Sequence, residues 1–125
     1  MASILIASGA RAGDYYPLGR RTSVIGRAES LLIQVLDDQV SRKHLQIRFD
    51  APSKTYLALD MNSRNGVSIN GRKIQGETPL REGDRLQIGN TELLFTVQDF
   101  EDADSALHHF KKVGERSRPT FWGNP

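Results

Sequence analysis

The 125-residue chain has 17 Lys and Arg residues, 15 Asp and Glu residues and no cysteine, and 38% of its residues are hydrophobic. This composition is that of one soluble globular domain and argues against a disordered or fibrous chain. The lack of cysteine excludes disulfide frameworks and thiolate metal sites, and no apolar run approaches the roughly 18 residues that span a bilayer.

The chain begins with a short apolar run at Ile4 to Ala7. No positively charged residue precedes this run, so the segment makes a poor secretory signal. We interpret it as the first β-strand. We therefore expect a cytoplasmic protein that does not contact a membrane, and the absence of cysteine is compatible with this compartment.

Up to residue 98, apolar residues alternate with polar ones in short runs separated by Gly, Asn, Asp, Pro or Ser. The runs include Ile4, Val24, Ile33, Ile47, Leu57, Val67, Leu86 and Leu94. A period of two is typical of half-buried β-strands. The pair Asn70 and Gly71 suits a tight type I′ hairpin, and a second turn falls at Glu82 to Asp84. Many short strands at close spacing predict an all-β fold, either a sandwich or a barrel.

At Asp99 the apolar spacing changes from two to three and four. The residues with this spacing are Phe100, Ala103, Leu107, Phe110 and Val113. Acidic residues lead the segment, lysines follow and Gly114 closes it, which is typical of an amphipathic helix aligned with its macrodipole. We therefore divide the chain into a β-domain, residues 1–98, and a C-terminal helix with an exposed tail, residues 99–125.

The charge of the β-domain does not indicate a nucleic-acid surface. Residues 1–98 carry 13 Lys and Arg residues dispersed among 10 Asp and Glu residues. Nucleic-acid binding instead requires clustered basic residues that neutralise several phosphates. We expect no nucleic-acid partner, although a small local anion site is compatible with this charge.

Three segments place anion-binding residue types at strand boundaries. They read VIGRAES, VSRKHLQI and NSRNGVSI, and they contribute Arg27, Ser41, Arg64 and Asn65. A guanidinium group forms bidentate charge-assisted hydrogen bonds to phosphate, while hydroxyl and loop N–H groups bind the remaining oxygens. The sequence thus favours a site at one end of a sandwich, where several loops together supply the hydrogen-bond donors for a phosphate.

Two glycines lie beside these anion-binding residues. Gly26 precedes Arg27, and Gly66 follows Asn65. We expect both glycines to adopt backbone conformations that are closed to residues with a Cβ, because tight loops between strands often need them.

Several other polar residues have an ordinary structural interpretation. His44 begins an apolar strand, where a buried, hydrogen-bonded imidazole is expected rather than a base or metal ligand. Ser41 lacks the Gly-x-Ser-x-Gly context of acyl-transfer enzymes. Asp37, Asp38 and Asp84 fit turn carboxylates, because their spacing is not that of metal ligands.

The ordered motifs of the β-domain resemble the forkhead-associated (FHA) domain. They are IGR at Ile25–Arg27, SRKH at Ser41–His44, NSRNG at Asn62–Gly66 and ING at Ile69–Gly71. The resemblance covers roughly residues 3–98, and the ordered set is far more specific than any one motif. It implies an eleven-stranded β-sandwich of two sheets whose loops at one end bind phosphothreonine in partner proteins.

The resemblance also implies roles for individual residues. Arg27 and Ser41 would contact the phosphate, and Arg64 would add a phosphate contact from its side chain or backbone. Asn65 would hold the main chain of the peptide. Arg42, directly after the serine, would contact the peptide backbone or the phosphate.

Four further positions complete the set implied by the resemblance. Gly26, His44 and Gly66 would shape the loops. Gln39 lies where some relatives carry a charged residue that contacts the third residue after the phosphothreonine, so its neutrality argues against an acidic preference there. Val67 replaces a threonine that is common in the family, a change expected to affect packing rather than binding.

We therefore predict a non-catalytic, monomeric module that binds a threonine-phosphorylated protein or peptide and needs no metal or cofactor. Two alternatives stay open at this point. The first is an FHA-like scaffold that binds unphosphorylated protein, or a second copy of itself, through a sheet face. The second is an enzyme acting on phosphoproteins, which would have to work without a cysteine nucleophile, a metal cluster or an activated base.

Overall fold

A computed structural model of the chain describes residues 2–97. The predicted helix and tail, residues 99–125, lie outside the described residues. Within residues 2–97 every helix or strand element is a β-strand. No helix long and apolar enough to cross a membrane occurs in that part of the chain.

Eleven strands form two sheets. In chain order they are β1 (Ser3–Ile6), β2 (Tyr15–Pro17), β3 (Ser23–Gly26), β4 (Ile33–Gln34), β5 (Leu45–Asp50), β6 (Thr55–Asp60), β7 (Val67–Ile69), β8 (Arg72–Lys73), β9 (Thr78–Pro79), β10 (Arg85–Ile88) and β11 (Thr91–Thr96). One sheet has six strands in the order β2-β1-β11-β10-β7-β8, and the other has five in the order β4-β3-β5-β6-β9. The predicted two-sheet sandwich of about eleven strands is confirmed.

The core lies between the two sheets because alternate residues of each strand point inward. In β1, Ile4 and Ile6 belong to the main core, while Leu5 belongs to a separate small cluster. Tyr56 of β6 packs against Phe95 of β11 with ring centroids 5.8 Å apart, which joins the sheets. Fully burying one such aliphatic or aromatic side chain contributes about 1.5–3 kcal/mol to folding.

The predicted hairpin at Asn70 and Gly71 is present. Both residues have positive φ, 51° and 86°, as a type I′ turn requires. Ile69 pairs directly with Arg72 across this two-residue turn, so the turn fixes the register of β7 and β8.

The pairing of β3, β5 and β6 determines which loops are neighbours. In register, Ile25 at the end of β3 faces Leu45 at the start of β5, and Leu45 faces Asp60 at the end of β6. The segments that follow β3, precede β5 and follow β6 therefore emerge at the same end of the sandwich. These segments contain the predicted phosphate-binding motifs.

Candidate functional site

Three loops form the candidate site at this end of the sandwich. They are the β3–β4 loop (residues 27–32), the β4–β5 loop (residues 35–44) and the β6–β7 loop (residues 61–66). The first two loops belong to the five-stranded sheet, and the third crosses from that sheet to the six-stranded one. Every residue predicted for the site lies in these loops or is Gly26, which ends β3.

The β3–β4 and β4–β5 loops are joined through their main chains. The N–H of Arg27 donates to the carbonyl of Ser41 at 3.0 Å, and the N–H of Ala28 donates to the carbonyl of Arg42 at 3.1 Å. The two loops are therefore in contact directly beside Arg27 and Ser41, which are predicted to bind the phosphate. Arg27 and Ser41 come together although they are fourteen positions apart in the sequence.

Gly26 is required for a different reason from the one expected. Its φ is not in the left-handed region, so an unusual backbone conformation is not the cause. A Cβ at this position would instead lie 2.2 Å from the carbonyl oxygen of Arg42 and 2.9 Å from that of Ser41. Only glycine permits the close backbone approach between the two loops.

His44 joins the β4–β5 loop to the β6–β7 loop. Its side chain is completely buried. The N–H of Ser41 donates to Nδ1 at 2.9 Å, and Nε2 lies 2.7 Å from the carbonyl oxygen of Gly66. Because Nδ1 accepts and the carbonyl oxygen can only accept, the proton of the neutral ring is on Nε2. His44 thus connects the two loops, and both of its ring nitrogens are bonded to backbone groups of these loops.

Ser41 and Arg64 are in direct contact. The N–H of Arg64 donates to the hydroxyl oxygen of Ser41 at 3.0 Å. Ser41 is half-buried, whereas Arg64 is exposed. The contact places the Ser41 hydroxyl, whose proton stays free to donate, beside the chain position of the Arg64 guanidinium group, and both kinds of donor bind phosphate.

The β6–β7 loop is also held by two residues that we did not single out from the sequence. The N–H of Ser63 donates to the Asp60 carboxylate at 3.0 Å, and the N–H of Gly66 donates to the Ser63 hydroxyl at 2.9 Å. Gly66 has a φ of +78°, so here the expected left-handed conformation is present. The spacing of three in D-x-x-S and S-x-x-G is a signal for such side-chain turns.

Asn65 contacts Gln39 of the β4–β5 loop. Its side-chain amide donates to the carbonyl oxygen of Gln39 at 2.7 Å and lies 3.3 Å from the side-chain oxygen of Gln39. Both residues are exposed. Two of the three predicted peptide-contacting residues therefore come from different loops and meet at the surface.

Asp37 ties the β4–β5 loop to the six-stranded sheet. Its carboxylate accepts hydrogen bonds from the N–H of Gln39 at 2.9 Å, from the N–H of Asn90 at 2.8 Å and from the Thr91 hydroxyl at 2.8 Å. Burial raises the pKa of Asp37, but these hydrogen bonds outweigh it and hold the pKa below its usual value. Asp37 is therefore a turn carboxylate, as we expected, with an additional bond to a second loop.

The charges in the loops leave the site positive. Within residues 2–97, Arg27, Arg42 and Arg64 form no ion pair with a carboxylate, in contrast to the pair formed by Arg48 and Glu77. Arg27 donates through Nε to the carbonyl of Val40 at 3.0 Å. This leaves its two terminal nitrogens as an end-on fork for an anion.

An open cleft of about 750 Å³ adjoins two of these arginines. It is lined by Arg27, Glu29, Ser30, Gln34, Leu36 and Arg42. The cleft has room for side chains of a peptide that flank a bound phosphate. No group of three or more His, Cys, Asp or Glu residues with metal-binding geometry occurs in the described part of the chain.

Comparison with known proteins places these features in one family. A family model of the FHA domain matches residues 23–89, which include all three loops. The chain is 35% identical over 82 residues to the FHA domain-containing protein FhaA of Mycobacterium tuberculosis, covering 66% of this chain and 15% of FhaA. It is 32% identical over 94 residues to the oxoglutarate dehydrogenase inhibitor of Corynebacterium jeikeium, covering 75% of this chain and 63% of the inhibitor.

The fold is similar to that of solved FHA domains. One of them comes from a structural and functional study of phosphothreonine-dependent FHA domain interactions. It superimposes with a TM-score of 0.69 at 28% identity, over 79% of this chain and 98% of that domain. The chain spans less than two thirds of the length of FhaA and of the inhibitor.

Proposed function

Because the chain belongs to the FHA domain family, we propose that it is a non-catalytic module that binds phosphothreonine in a partner protein and thereby mediates a phosphorylation-dependent interaction in signalling. The observation that carries this proposal is the contact between Ser41 and Arg64. The Ser41 hydroxyl and the Arg64 N–H come from different loops yet lie 3.0 Å apart. The N–H of Arg64 occupies an acceptor site of the Ser41 hydroxyl and so leaves the O–H of Ser41 to donate to a phosphate beside the Arg64 position.

In this proposal, Arg27, Ser41 and Arg64 bind the phosphate. Arg27 supplies the end-on fork of its guanidinium group, because its Nε already donates to the carbonyl of Val40. The Ser41 hydroxyl donates to a phosphate oxygen while continuing to accept from the Arg64 N–H. A hydroxyl group has one donor and two acceptor sites, so both bonds form at once.

The peptide main chain lies beside the contact between Asn65 and Gln39. The Asn65 side chain has a carbonyl oxygen that accepts from a peptide N–H while its amide group remains bonded to Gln39. Gln39 and Arg42 flank this contact on the β4–β5 loop, and both are exposed. This arrangement supports their assignment as peptide-contacting residues.

The hydrogen bonds of His44 support a non-catalytic role. A serine nucleophile needs a base that takes the proton of its hydroxyl group. Here the His44 ring is bonded to the N–H of Ser41 through Nδ1 and to the carbonyl of Gly66 through Nε2. Neither ring nitrogen is available to the Ser41 hydroxyl, so we propose that this pair holds the loops and performs no chemistry.

The identity of the partner stays open in this proposal. FhaA and the oxoglutarate dehydrogenase inhibitor extend beyond the region matched here, so their interactions do not transfer to this chain. The proposed partner is a threonine-phosphorylated protein, with no nucleic acid or membrane involved. The cytoplasmic location and the monomeric state remain predictions.

Affinity for matched peptides tests the proposal. An oriented phosphothreonine library is first bound to the full chain, and the selected sequence is then synthesised with and without the phosphate. We expect calorimetric titration to detect binding only of the phosphorylated peptide and to give a weaker complex with Arg27→Ala. Equal binding of the two peptides would favour the phosphate-independent scaffold instead.

A further inference from the structure

Two exposed leucines flank the edge strand β4. Between them, buried and accessible residues alternate: Ile33 and Val35 are each 2% exposed, whereas Leu32 and Leu36 are 75% and 48% exposed. This alternation is that of an extended strand, in which every second side chain lies on the same face. Leu32, Gln34 and Leu36 therefore form one outward face, which we call the β4 strip.

The apolar character of the β4 strip is unusual for its position. A sheet face that contacts water is normally polar. β4 is at the edge of the five-stranded sheet, so one side of it has no neighbouring strand in that sheet. Within residues 2–97 the exposed large hydrophobic residues are Leu32, Leu36 and Val97, and the first two flank the same strand. Exposed apolar residues that are grouped rather than scattered mark interaction sites.

Each leucine of the strip borders a depression in the surface. Leu36 lines the cleft of about 750 Å³ that also contains Arg27 and Arg42. Leu32 lines a smaller depression of about 200 Å³, together with Val24 of β3. A side chain that enters either depression therefore contacts a leucine that is otherwise in water.

The β4 strip leads away from the candidate phosphate site. β3 and β4 are parallel, and Gly26, the last residue of β3, pairs with Gln34. Leu36 therefore lies at the end of the sheet where the chain continues from β3 to Arg27. Leu32 lies about 13 Å farther from that end, since four residues of a strand extend roughly 3.3 Å each. The strip thus begins beside the proposed phosphate ligands.

The chemistry of the larger cleft favours an apolar side chain. The side-chain amide of Gln34 already donates to the carbonyl of Arg27 at 3.1 Å. Glu29 and Arg42 carry opposite charges at the same cleft, and both are exposed. The cleft therefore does not favour a side chain of either charge. The exposed half of Leu36 is the apolar surface that a partner can bury there.

We propose that the phosphorylated partner continues from its phosphothreonine along β4 and places one apolar side chain against Leu36 and a second against Leu32. This inference rests on the proposed phosphothreonine binding, because the phosphate fixes where the partner segment starts. An extended peptide has the same rise per residue as a strand. The two apolar residues are therefore expected four positions apart, on one side of the phosphothreonine.

Selection from a peptide library tests the proposal. The library has a fixed phosphothreonine with several degenerate positions on each side, and it is bound to the full chain. We expect enrichment of Leu, Ile, Val, Met and Phe at two positions four residues apart on the same side. Binding of phosphopeptides without apolar enrichment would overturn this inference and leave the proposed function intact. If no phosphopeptide binds, both proposals fail.

Leu36→Ser and Val97→Ser form a matched pair of variants, because the two residues are 48% and 49% exposed. Val97 follows the end of β11 opposite Thr91, the residue that is bonded to Asp37 of the β4–β5 loop. We expect the selected phosphopeptide to bind Leu36→Ser about tenfold more weakly than wild type, and to bind Val97→Ser normally. The Tm of both variants should stay close to that of wild type.

A peptide variant completes this comparison. Serine in place of the apolar residue nearer the phosphothreonine should weaken binding to wild type about tenfold and have no further effect on Leu36→Ser, because the two changes remove the same contact. Equal affinity of Leu36→Ser and Val97→Ser for the selected peptide would refute the proposal.

Peptide length tests the contact with Leu32. A peptide truncated before the second apolar residue should bind wild type severalfold more weakly, whereas Leu32→Ser should bind the long and the short peptide equally. A length effect that Leu32→Ser retains would contradict the proposal. Sedimentation of the free chain tests a different occupant: a dimer that Leu32→Ser abolishes would show that a second copy covers the strip, which would overturn the proposal.

Discussion

The Nε2 atom of His44 lies 2.7 Å from the carbonyl oxygen of Gly66, twenty-two positions further along the chain. Together with the bond from the Ser41 N–H to Nδ1, this contact makes one buried ring the link between two site loops. We expect His44→Ala to leave both backbone groups without these partners and to cost about 3 kcal/mol or more in the free energy of unfolding. Urea denaturation measures this change.

Phosphopeptide affinity should fall together with stability in His44→Ala. Gln46→Ala, a half-buried position on β5, is the matched control and should change neither property appreciably. A His44→Ala protein with wild-type stability and no binding would instead mean that the ring contacts the ligand.

Arg27→Ala should weaken phosphopeptide binding by about 1.5–3 kcal/mol, the scale of a lost hydrogen bond to a charged group. The fold should survive, because the one hydrogen bond found for the side chain within residues 2–97 goes to the carbonyl of Val40. Arg27→Lys keeps the charge but loses the planar fork, so we expect intermediate affinity. Titration calorimetry gives both values, with exposed Arg72→Ala as the control.

Ser41→Ala should weaken phosphopeptide binding less than Arg27→Ala does, since it removes a neutral donor. It also removes the acceptor of the Arg64 N–H. That N–H lies on an exposed residue, where water replaces the lost acceptor, so we expect only a small change in Tm. Affinity equal to that of wild type would remove Ser41 from the phosphate site.

Phosphothreonine should bind better than phosphoserine in the same peptide. The family resemblance implies an apolar niche for the threonine methyl group, and burial of one methyl group contributes about 0.8 kcal/mol. The expected difference in Kd is therefore about fourfold. Competition between the two peptides measures it, and equal affinities would show that the site responds to the phosphate alone.

Two glycine variants distinguish how a close approach between two backbone segments and how a positive φ affect stability and binding. Gly26→Ala places a methyl group 2.2 Å from the Arg42 carbonyl oxygen, so we expect a loss of about 3 kcal/mol in stability together with weaker phosphopeptide binding. In Gly71→Ala the new methyl group meets no atom within 4 Å, and only the positive φ of 86° is unfavourable. That variant should lose about 1 kcal/mol and bind normally. Chemical denaturation and calorimetry distinguish the two results.

The lowered pKa of Asp37 predicts how stability depends on pH. A carboxyl group whose pKa is lower in the folded state stabilises the fold above its unfolded pKa, near 3.8, and that contribution is lost as the pH falls through the folded value. Asp37→Asn should therefore be less stable than wild type at pH 7. Below pH 3.8 the difference should shrink progressively. A difference in unfolding free energy that stays constant between pH 7 and pH 2.5 would contradict this assignment.

Local patterns in the sequence are sufficient to predict an all-β fold and the hairpin at Asn70 and Gly71, because alternation and turn chemistry act over a few residues. They leave open whether the fold is a sandwich or a barrel, and the two-sheet sandwich follows from the resemblance to the FHA domain. The order of the sequence motifs is sufficient to predict which loops form the candidate site. The hydrogen bonds of Asp37 to Asn90 and Thr91 join residues more than fifty positions apart. No local spacing specifies that contact, since it exists only after the two sheets have packed. The close backbone approach at Gly26 depends on sheet pairing in the same way.

The bonds made by Asp37 and His44 have a consequence for the thermodynamics of binding. Asp37 anchors one loop to the β10–β11 turn, and His44 connects that loop to the next, so the main chain of the site is already ordered before a ligand arrives. Little conformational entropy then remains to be lost on association, and free and bound backbones should nearly superimpose. A substitution that loosens either link would weaken binding through this entropy, although it removes no atom that contacts the peptide.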